Sequence, residues 1–101
     1  MQATATTPIQ KLQTLCSKVN TRYAAGLNDD DQVKAMFDYQ KKHPELIVII
    51  GYDKYQAITK EQIKEYAKTA QEDESRTKES GSKYIKFWHN RDIYSAKIEN
   101  I

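Results

Sequence analysis

Alternating aromatic, basic and apolar side chains near the end of the chain are the residues best suited to binding a partner. In the segment KYIKFWHNRDIYSAKIENI, residues 83 to 101, Tyr84, Lys86 and Trp88 alternate with apolar residues. Aromatic rings stack on nucleobases, and lysine ammonium groups neutralise the phosphates of a single strand. If these three residues share an open face of a sheet, the segment predicts a surface that binds nucleic acid.

Acid–base catalysis has weaker support in the same segment. His89, Arg91 and Asp92 include groups that exchange protons and stabilise charge, as a ribonuclease-like site requires. They also fall where a tight turn is expected, and turn preference with solvent exposure accounts for such a cluster. Because the chain offers no assembled catalytic set, the sequence predicts that the protein is not an enzyme.

The sequence offers little to hold a metal ion or another cofactor. The two histidines, His43 and His89, have no third ligand at the spacing of a zinc site. The three glycines stand alone, so no Gly-rich loop is available to cradle a phosphate. Cys16 falls in an apolar helical stripe, where a buried thiol is expected rather than a nucleophile. The sequence therefore predicts no cofactor.

A C-terminal β-hairpin is the element that would position the aromatic and basic residues. Two alternating runs flank Asn90 and Arg91, which are predicted to form a two-residue turn. The strands would then carry one core face and one outward face. The core face is Ile85, Phe87, Tyr94, Ala96 and Ile98, and the outward face is Tyr84, Lys86, Trp88, Ile93 and Lys97. A one-residue slip would exchange the faces, and a covering helix would bury Trp88.

Two helices are predicted before the first strand. Thr7 caps a helix that begins at Pro8 and stops at Gly26. Residues 28 to 31 are Asn28 and three aspartates, which can cap a second helix. Their negative charges would stabilise the positive N-terminal end of that helix. That helix ends before Pro44, because the residue preceding a proline is driven out of the helical region.

The middle of the chain predicts a strand, a third helix and a loop. Residues 46 to 50 are apolar on both faces, which is typical of a strand inside a sheet. Thr59 and Gln62 fit a capping box for a helix that runs to about Gln71. Residues 72 to 82 contain no apolar side chain and predict a flexible loop. The fold expected for residues 1 to 101 is one small α/β (α+β) domain, ordered helix-helix-strand-helix-strand-strand.

Composition limits the class of protein. Hydrophobic residues make up 39% of the chain and charged residues 30%, and no apolar run exceeds five residues, far below the ~20 that span a bilayer. One cysteine and the lack of an apolar leader predict a cytoplasmic protein without a disulfide. Residues 1 to 28 carry three bases and no acid, and residues 83 to 101 carry four bases and two acids. The two ends would form a positive face if the fold joined them.

The stretch YQKKHPELIVIIGYDKYQ, residues 39 to 56, precedes the predicted third helix. It resembles the start of the N-terminal mismatch-recognition domain of the MutS DNA-repair family, in which Lys-x-His-Pro-Asp, an aliphatic strand, Gly-Asp-Phe-Tyr-Glu and a helix follow one another. The resemblance covers residues 36 to 70. Lys54 replaces the family's wedging phenylalanine, Gln56 replaces its glutamate, and one residue fewer separates Pro44 from Asp53. The resemblance implies DNA contact without the wedge, with Lys54 on a phosphate and Tyr55 packed or stacked.

Two functions are compatible with these patterns. The first is a small non-catalytic accessory protein that binds nucleic acid, with DNA as the favoured partner. Its expected site residues are Lys54, Tyr55, Tyr84, Lys86, Trp88, Arg91 and Lys97. The alternative is a protein-interaction or inhibitor module with a tyrosine-rich contact surface, because Tyr, Trp and Arg are enriched at interface hot spots. The net charge of only +2 and the acidic residues at 72 to 74 and 29 to 31 count against binding to nucleic acid.

Overall fold

A computed structural model describes residues 7 to 27, 30 to 52 and 54 to 101. These residues form one α+β domain with a C-terminal hairpin, which confirms the predicted class. The helices are α1 (Pro8–Ala24), α2 (Asp30–Lys42), α3 (Lys60–Ala67) and α4 (Glu74–Ser80). The strands are β1 (Leu46–Ile50), β2 (Tyr55–Thr59), β3 (Gln71–Glu72), β4 (Tyr84–His89) and β5 (Asp92–Lys97), followed by a 3-10 turn at Ile98–Asn100.

Two helices begin at the predicted caps. The Thr7 hydroxyl accepts a hydrogen bond from the Gln10 amide at 3.3 Å, and the Gln10 side chain accepts one from the Thr7 amide at 3.1 Å. Thr59 caps α3 by accepting from the Gln62 amide at 3.2 Å. The predicted caps of α2 at positions 28 and 29 lie outside the described residues. In the described part of the chain, no helix has the length and apolarity needed to cross a membrane.

β1 is internal to the sheet, as predicted. The strand order is β2-β1-β5-β4-β3, and all neighbours are antiparallel. Ile47 and Ile49 pack in a core cluster with α3, whereas Leu46 and Val48 pack in a second cluster with α1 and α2. Successive side chains of a strand point to opposite faces, so burial of all four requires helices on both sides of the sheet.

The predicted order of elements omitted β2, which pairs with β1 along its whole length. The register runs from Leu46 opposite Thr59 to Ile50 opposite Tyr55, and the Gly51 amide donates to the Lys54 carbonyl at 2.8 Å. The sequence YQAIT is too short and too polar for its alternation to reveal a strand. Gly51 therefore opens a hairpin loop, whereas the predicted order led from β1 directly to the third helix.

The predicted loop at residues 72 to 82 is also corrected, because β3 ends there and α4 follows. Asp73 caps α4 by accepting from the Arg76 amide at 3.1 Å, and Gly81, at φ 75°, ends it in the left-handed conformation. α4 contains no buried residue. An apolar pattern could not reveal this helix because polar contacts hold it. α3 ends at Ala67, short of the predicted end at about Gln71, and Gln71 belongs to β3.

The two basic ends of the chain lie at different parts of the sheet. α1 packs over β2 and against α2, whereas the β4–β5 hairpin joins the opposite edge of β1. The sequence predicted one positive face if the fold joined the two ends. The sheet order places α1 over β2 and the hairpin on the other side of β1, so the two basic segments lie on different strands of the sheet.

Replacing Ile49 by alanine should lower the free energy of unfolding by about 2 to 5 kcal/mol, because its buried side chain would leave a cavity between two packed layers. Urea denaturation measures the change. Lys64→Ala, on the exposed side of α3, is the control and should change stability by less than about 0.5 kcal/mol. A similarly small loss at Ile49 would contradict its place in the core.

Candidate functional site

The β4–β5 hairpin has the predicted turn and the predicted register. Asn90 at φ 49° and Arg91 at φ 67° are both left-handed, as the favoured two-residue hairpin turns require. Pairing runs from His89 opposite Asp92 to Tyr84 opposite Lys97. The predicted core residues Ile85, Phe87, Tyr94 and Ala96 are buried. Ile98 is the exception and is exposed, because β5 ends at Lys97 and the chain turns away.

α4 covers one end of the outward face of the hairpin. The Ser95 hydroxyl is buried and donates to Asp73 Oδ2 at 2.5 Å, and Arg76 Nη2 donates to the Gly51 carbonyl at 3.2 Å. Burial alone would raise the pKa of Asp73, but hydrogen bonds from Ser95 and the Arg76 amide, with the charges of Arg76 and Lys86, hold that pKa below its usual value. The ionised carboxylate therefore ties α4 to β5.

Trp88 lies at the other end of the outward face, which α4 leaves open. Its side chain is 65% exposed, and its cross-strand partner Ile93 is 51% exposed. Two alternatives were open from the sequence, a covered face and an open one. The structure combines the two alternatives. The short α4 covers the part of the face around Ser95, and it stops short of the turn, so the part around Trp88 is open.

We define the hairpin-tip surface as the shallow depression at the turn. It is lined by Tyr52, Lys54, Trp88, Arg91, Asp92 and Ile93. Lys54 Nζ lies 2.5 Å from Asp92 Oδ2 and 5.7 Å from the centre of the Tyr94 ring. The hydrogen bond to Asp92 is the main cause of the raised pKa of Lys54. This ion pair joins the β1–β2 loop to the hairpin across 38 residues of chain.

Four of the seven predicted site residues lie at or beside this surface. They are Lys54, Lys86, Trp88 and Arg91. Lys86 lies outside the depression but is exposed on the same outward face as Trp88, two positions along β4. The fold thus brings three basic side chains and one indole ring to the same end of the sheet.

The other three predicted residues lie elsewhere. Tyr55 is half-buried in the layer of α1 and α2, with its ring edge-on to Phe37 at 5.9 Å between centroids. Tyr84 and Lys97 face each other at the far end of the hairpin, and Lys97 Nζ contacts Glu99 Oε1 at 2.6 Å. β2 pulls Tyr55 into the core, and the length of the hairpin separates the far pair from the tip.

Tyr52 is the surface residue that the sequence did not suggest. It lies in the β1–β2 loop directly after Gly51 and is 98% exposed. The run YQAIT is too short and too polar to predict a strand, so nothing in the sequence indicated that the chain turns back after Gly51. Because β2 was not predicted, the sequence did not indicate whether the Tyr52 side chain points to solvent or to the core.

The two side chains with the greatest catalytic potential are inside the fold. Cys16 is buried among α1 core residues, and burial raises the pKa of its thiol to about 12, which confirms the predicted core thiol. His89 is buried on the core face of β4, although its place beside the turn predicted exposure. Its Nδ1 lies 2.7 Å from the Tyr66 hydroxyl, and burial lowers its pKa. His89 and its cross-strand partner Asp92 share a face, but His89 is buried whereas Asp92 is exposed and contacts Lys54.

Comparison with known proteins gives no relative: no family model, curated protein or solved structure matches the chain. The resemblance of residues 36 to 70 to the MutS domain stays a prediction. In the fold, Lys54 contacts Asp92 and Tyr55 packs against Phe37. Among the described residues, no group of three or more His, Cys, Asp or Glu side chains is arranged to hold a metal ion.

Lowering the pH from 8 to 5 should reduce stability through His89. The pKa of His89 is lower in the folded than in the unfolded protein, so the unfolded state binds more protons below about pH 6.5. Above that pH, His89 is neutral in both states and its contribution to the free energy of unfolding is complete. That contribution is lost as the pH falls through the pKa of His89 in the folded protein. Urea denaturation across this range tests it, with His89→Gln as the comparison. A pH dependence identical in both proteins would contradict the assignment.

Proposed function

We propose that this protein binds single-stranded nucleic acid, DNA in particular, through the hairpin-tip surface and acts as a small non-catalytic accessory protein. The observation that carries the proposal is the exposed Trp88 ring on a paired strand, with Lys86 on the same face and Arg91 at the turn. Aromatic rings that stack on bases beside cations that contact phosphates are the common means of binding single strands.

A single strand fits this surface better than a duplex. Stacking requires a base whose flat face is free, and the bases of a duplex already stack on one another. Tyr52 supplies a second exposed ring from the neighbouring loop, and Ile93 extends the apolar contact beside Trp88. The strand would lie across the turn, with bases on the rings and phosphates towards Arg91 and Lys86.

The charges at the surface favour modest affinity with little preference for sequence. Lys54 is already paired with Asp92, so Arg91 and Lys86 would make most of the phosphate contacts. Phosphate contacts carry no base information, and two or three of them give weak, salt-sensitive binding. The net charge of +2 agrees with a small electrostatic contribution.

A second candidate function, protein interaction, is supported by the edge of β4. β3 pairs with β4 only at Ile85 and Lys86, and beyond Lys86 the described residues provide no strand on this edge. An extended peptide can pair with such an edge as an additional strand. Trp88 and Ile93 would then be its apolar anchors, and binding would respond weakly to salt.

Trp88→Ala should weaken the binding of a fluorescent oligothymidine by about 1 to 3 kcal/mol, because one base loses its stacking partner. Stability should change by less than about 1 kcal/mol, since the ring is exposed and loses mainly its contact with Ile93. Fluorescence anisotropy and thermal unfolding measure the two effects. Ile98→Ala, an exposed apolar change far from the turn, is the control. Unchanged affinity in folded Trp88→Ala would remove this surface from the site.

Lys86→Gln combined with Arg91→Asn should flatten the salt dependence of binding. Each lost phosphate contact reduces the slope of log K against log salt concentration by about 0.7, so the pair should reduce it by about 1.4. Asparagine is chosen at position 91 because it tolerates the left-handed turn conformation. Lys41→Gln with Lys64→Gln makes the same change in charge on α2 and α3. If both double variants lower the slope equally, the effect belongs to net charge and the surface has no special role.

A further inference from the structure

A cavity of about 240 Å³ adjoins the hairpin-tip surface. It lies between the C-terminal end of α1, the start of α2, the β1–β2 loop and α4. Val19, Val33 and Ile50 contribute apolar wall, and the rings of Tyr23 and Tyr55 also line it. Tyr52 and Lys54 line both the cavity and the hairpin-tip surface. The cavity and the hairpin-tip surface therefore meet at these two residues.

The described lining of the cavity contains two cations and no carboxylate. The cations are Lys54 and Arg76. Each is oriented by an acid placed behind it: Lys54 contacts Asp92, and Arg76 Nε lies 3.7 Å from Asp73 Oδ2. Arg76 Nη2 donates to the Gly51 carbonyl at 3.2 Å. A guanidinium has five N–H donors, so these two contacts leave Arg76 able to donate to a bound anion.

The apolar walls and the positive charges of the cavity are suited to a ligand that has a flat ring and an anionic group. The rings of Tyr23 and Tyr55 can pack against a flat heterocycle, while Arg76 provides charge-assisted hydrogen bonds to phosphate oxygens. The volume is below the ~300 to 1,000 Å³ of drug-sized sites, which restricts the ligand to one small unit. A nucleotide with one phosphate has this chemistry.

We infer that the cavity binds a single nucleotide bearing a terminal phosphate, and that the protein prefers strands that end in one. This inference rests on the proposed function, because the strand would reach the cavity from the hairpin-tip surface past Tyr52 and Lys54. Trp88 would hold an internal base while the cavity holds the end. The two sites would then act as one extended site, and the terminal phosphate would add affinity that an internal phosphate cannot.

The test compares oligothymidines with a 5′-phosphate, with a 3′-phosphate and with neither, each labelled at the opposite end and measured by anisotropy. Calorimetry with free thymidine monophosphate and with thymidine separates the cavity from the rest of the strand. We expect about tenfold tighter binding for one of the phosphorylated strands, and binding of the monophosphate in preference to the nucleoside.

Two variants assign this preference to the cavity. Arg76→Gln removes the charge, and Tyr23→Ala removes a ring that is 59% exposed and so does not depend on α4 remaining in place. Arg76→Gln should abolish the phosphate preference, and Tyr23→Ala should weaken the hold on the terminal nucleotide and so reduce that preference. Both should leave the affinity for the unphosphorylated strand within about twofold of the parent. Lys78→Gln, an exposed change on α4, is the matched charge control. Trp88→Ala should weaken all three strands equally and keep the preference.

The outcomes separate this inference from the proposed function. Equal affinity for all three strands would overturn the inference and leave single-strand binding intact. A phosphate preference that survives both cavity variants would also overturn it, because the phosphate would then bind elsewhere. Binding of the monophosphate without binding of any strand would overturn the proposed function, and loss of that binding in Tyr23→Ala would still assign the nucleotide to the cavity.

Discussion

Burial of β1 on both faces is the constraint on which the rest of the structure depends. Its side chains enter two separate core clusters, so helices must cover both sides and strands must flank both edges. β2 fills one edge completely, but β5 pairs only where Ile50 meets Ser95. Further along the same edge of β1, the Val48 amide donates a hydrogen bond to the Gln40 side chain rather than to a neighbouring strand. The β4–β5 hairpin is therefore joined to β1 at one end and extends beyond it.

Polar contacts determine which part of the extended hairpin is exposed. Asp73 binds Ser95 and Arg76 binds the Gly51 carbonyl, so α4 is held across the sheet without any buried side chain of its own. Hydrogen bonds to a charged group are individually stronger than neutral ones, which is sufficient to place a seven-residue helix. The same contacts orient Arg76 towards the cavity. One polar network therefore covers part of the outward face of the hairpin and also supplies one wall of the neighbouring cavity.

The sequence by itself determined the elements that depend on neighbouring residues. The Thr7 cap and the helix after Pro8 follow from hydrogen bonds within one turn, and the apolar stripe placed Cys16 in the core. The hairpin register follows from a two-residue turn and a period of two, so the pairing and the buried positions Ile85, Phe87, Tyr94 and Ala96 were predicted, whereas burial of His89 was not. Lys86 and Trp88 share a face for the same reason, because alternation along one strand fixes its side-chain directions, whereas Lys54 reaches the surface through its contact with Asp92.

Only the tertiary structure decided what covers each face. β2 becomes a strand because β1 offers it a partner, and that pairing leaves Tyr55 half-buried and Tyr52 exposed in the loop. Whether Trp88 is buried depends on α4, whose position rests on a contact between residues 22 apart in the chain. Such contacts leave no periodic pattern in the sequence, because each needs only two polar residues whose separation is set by the folded chain. The sequence therefore specified the directions of the side chains, and packing between distant segments selected which of them reach the surface.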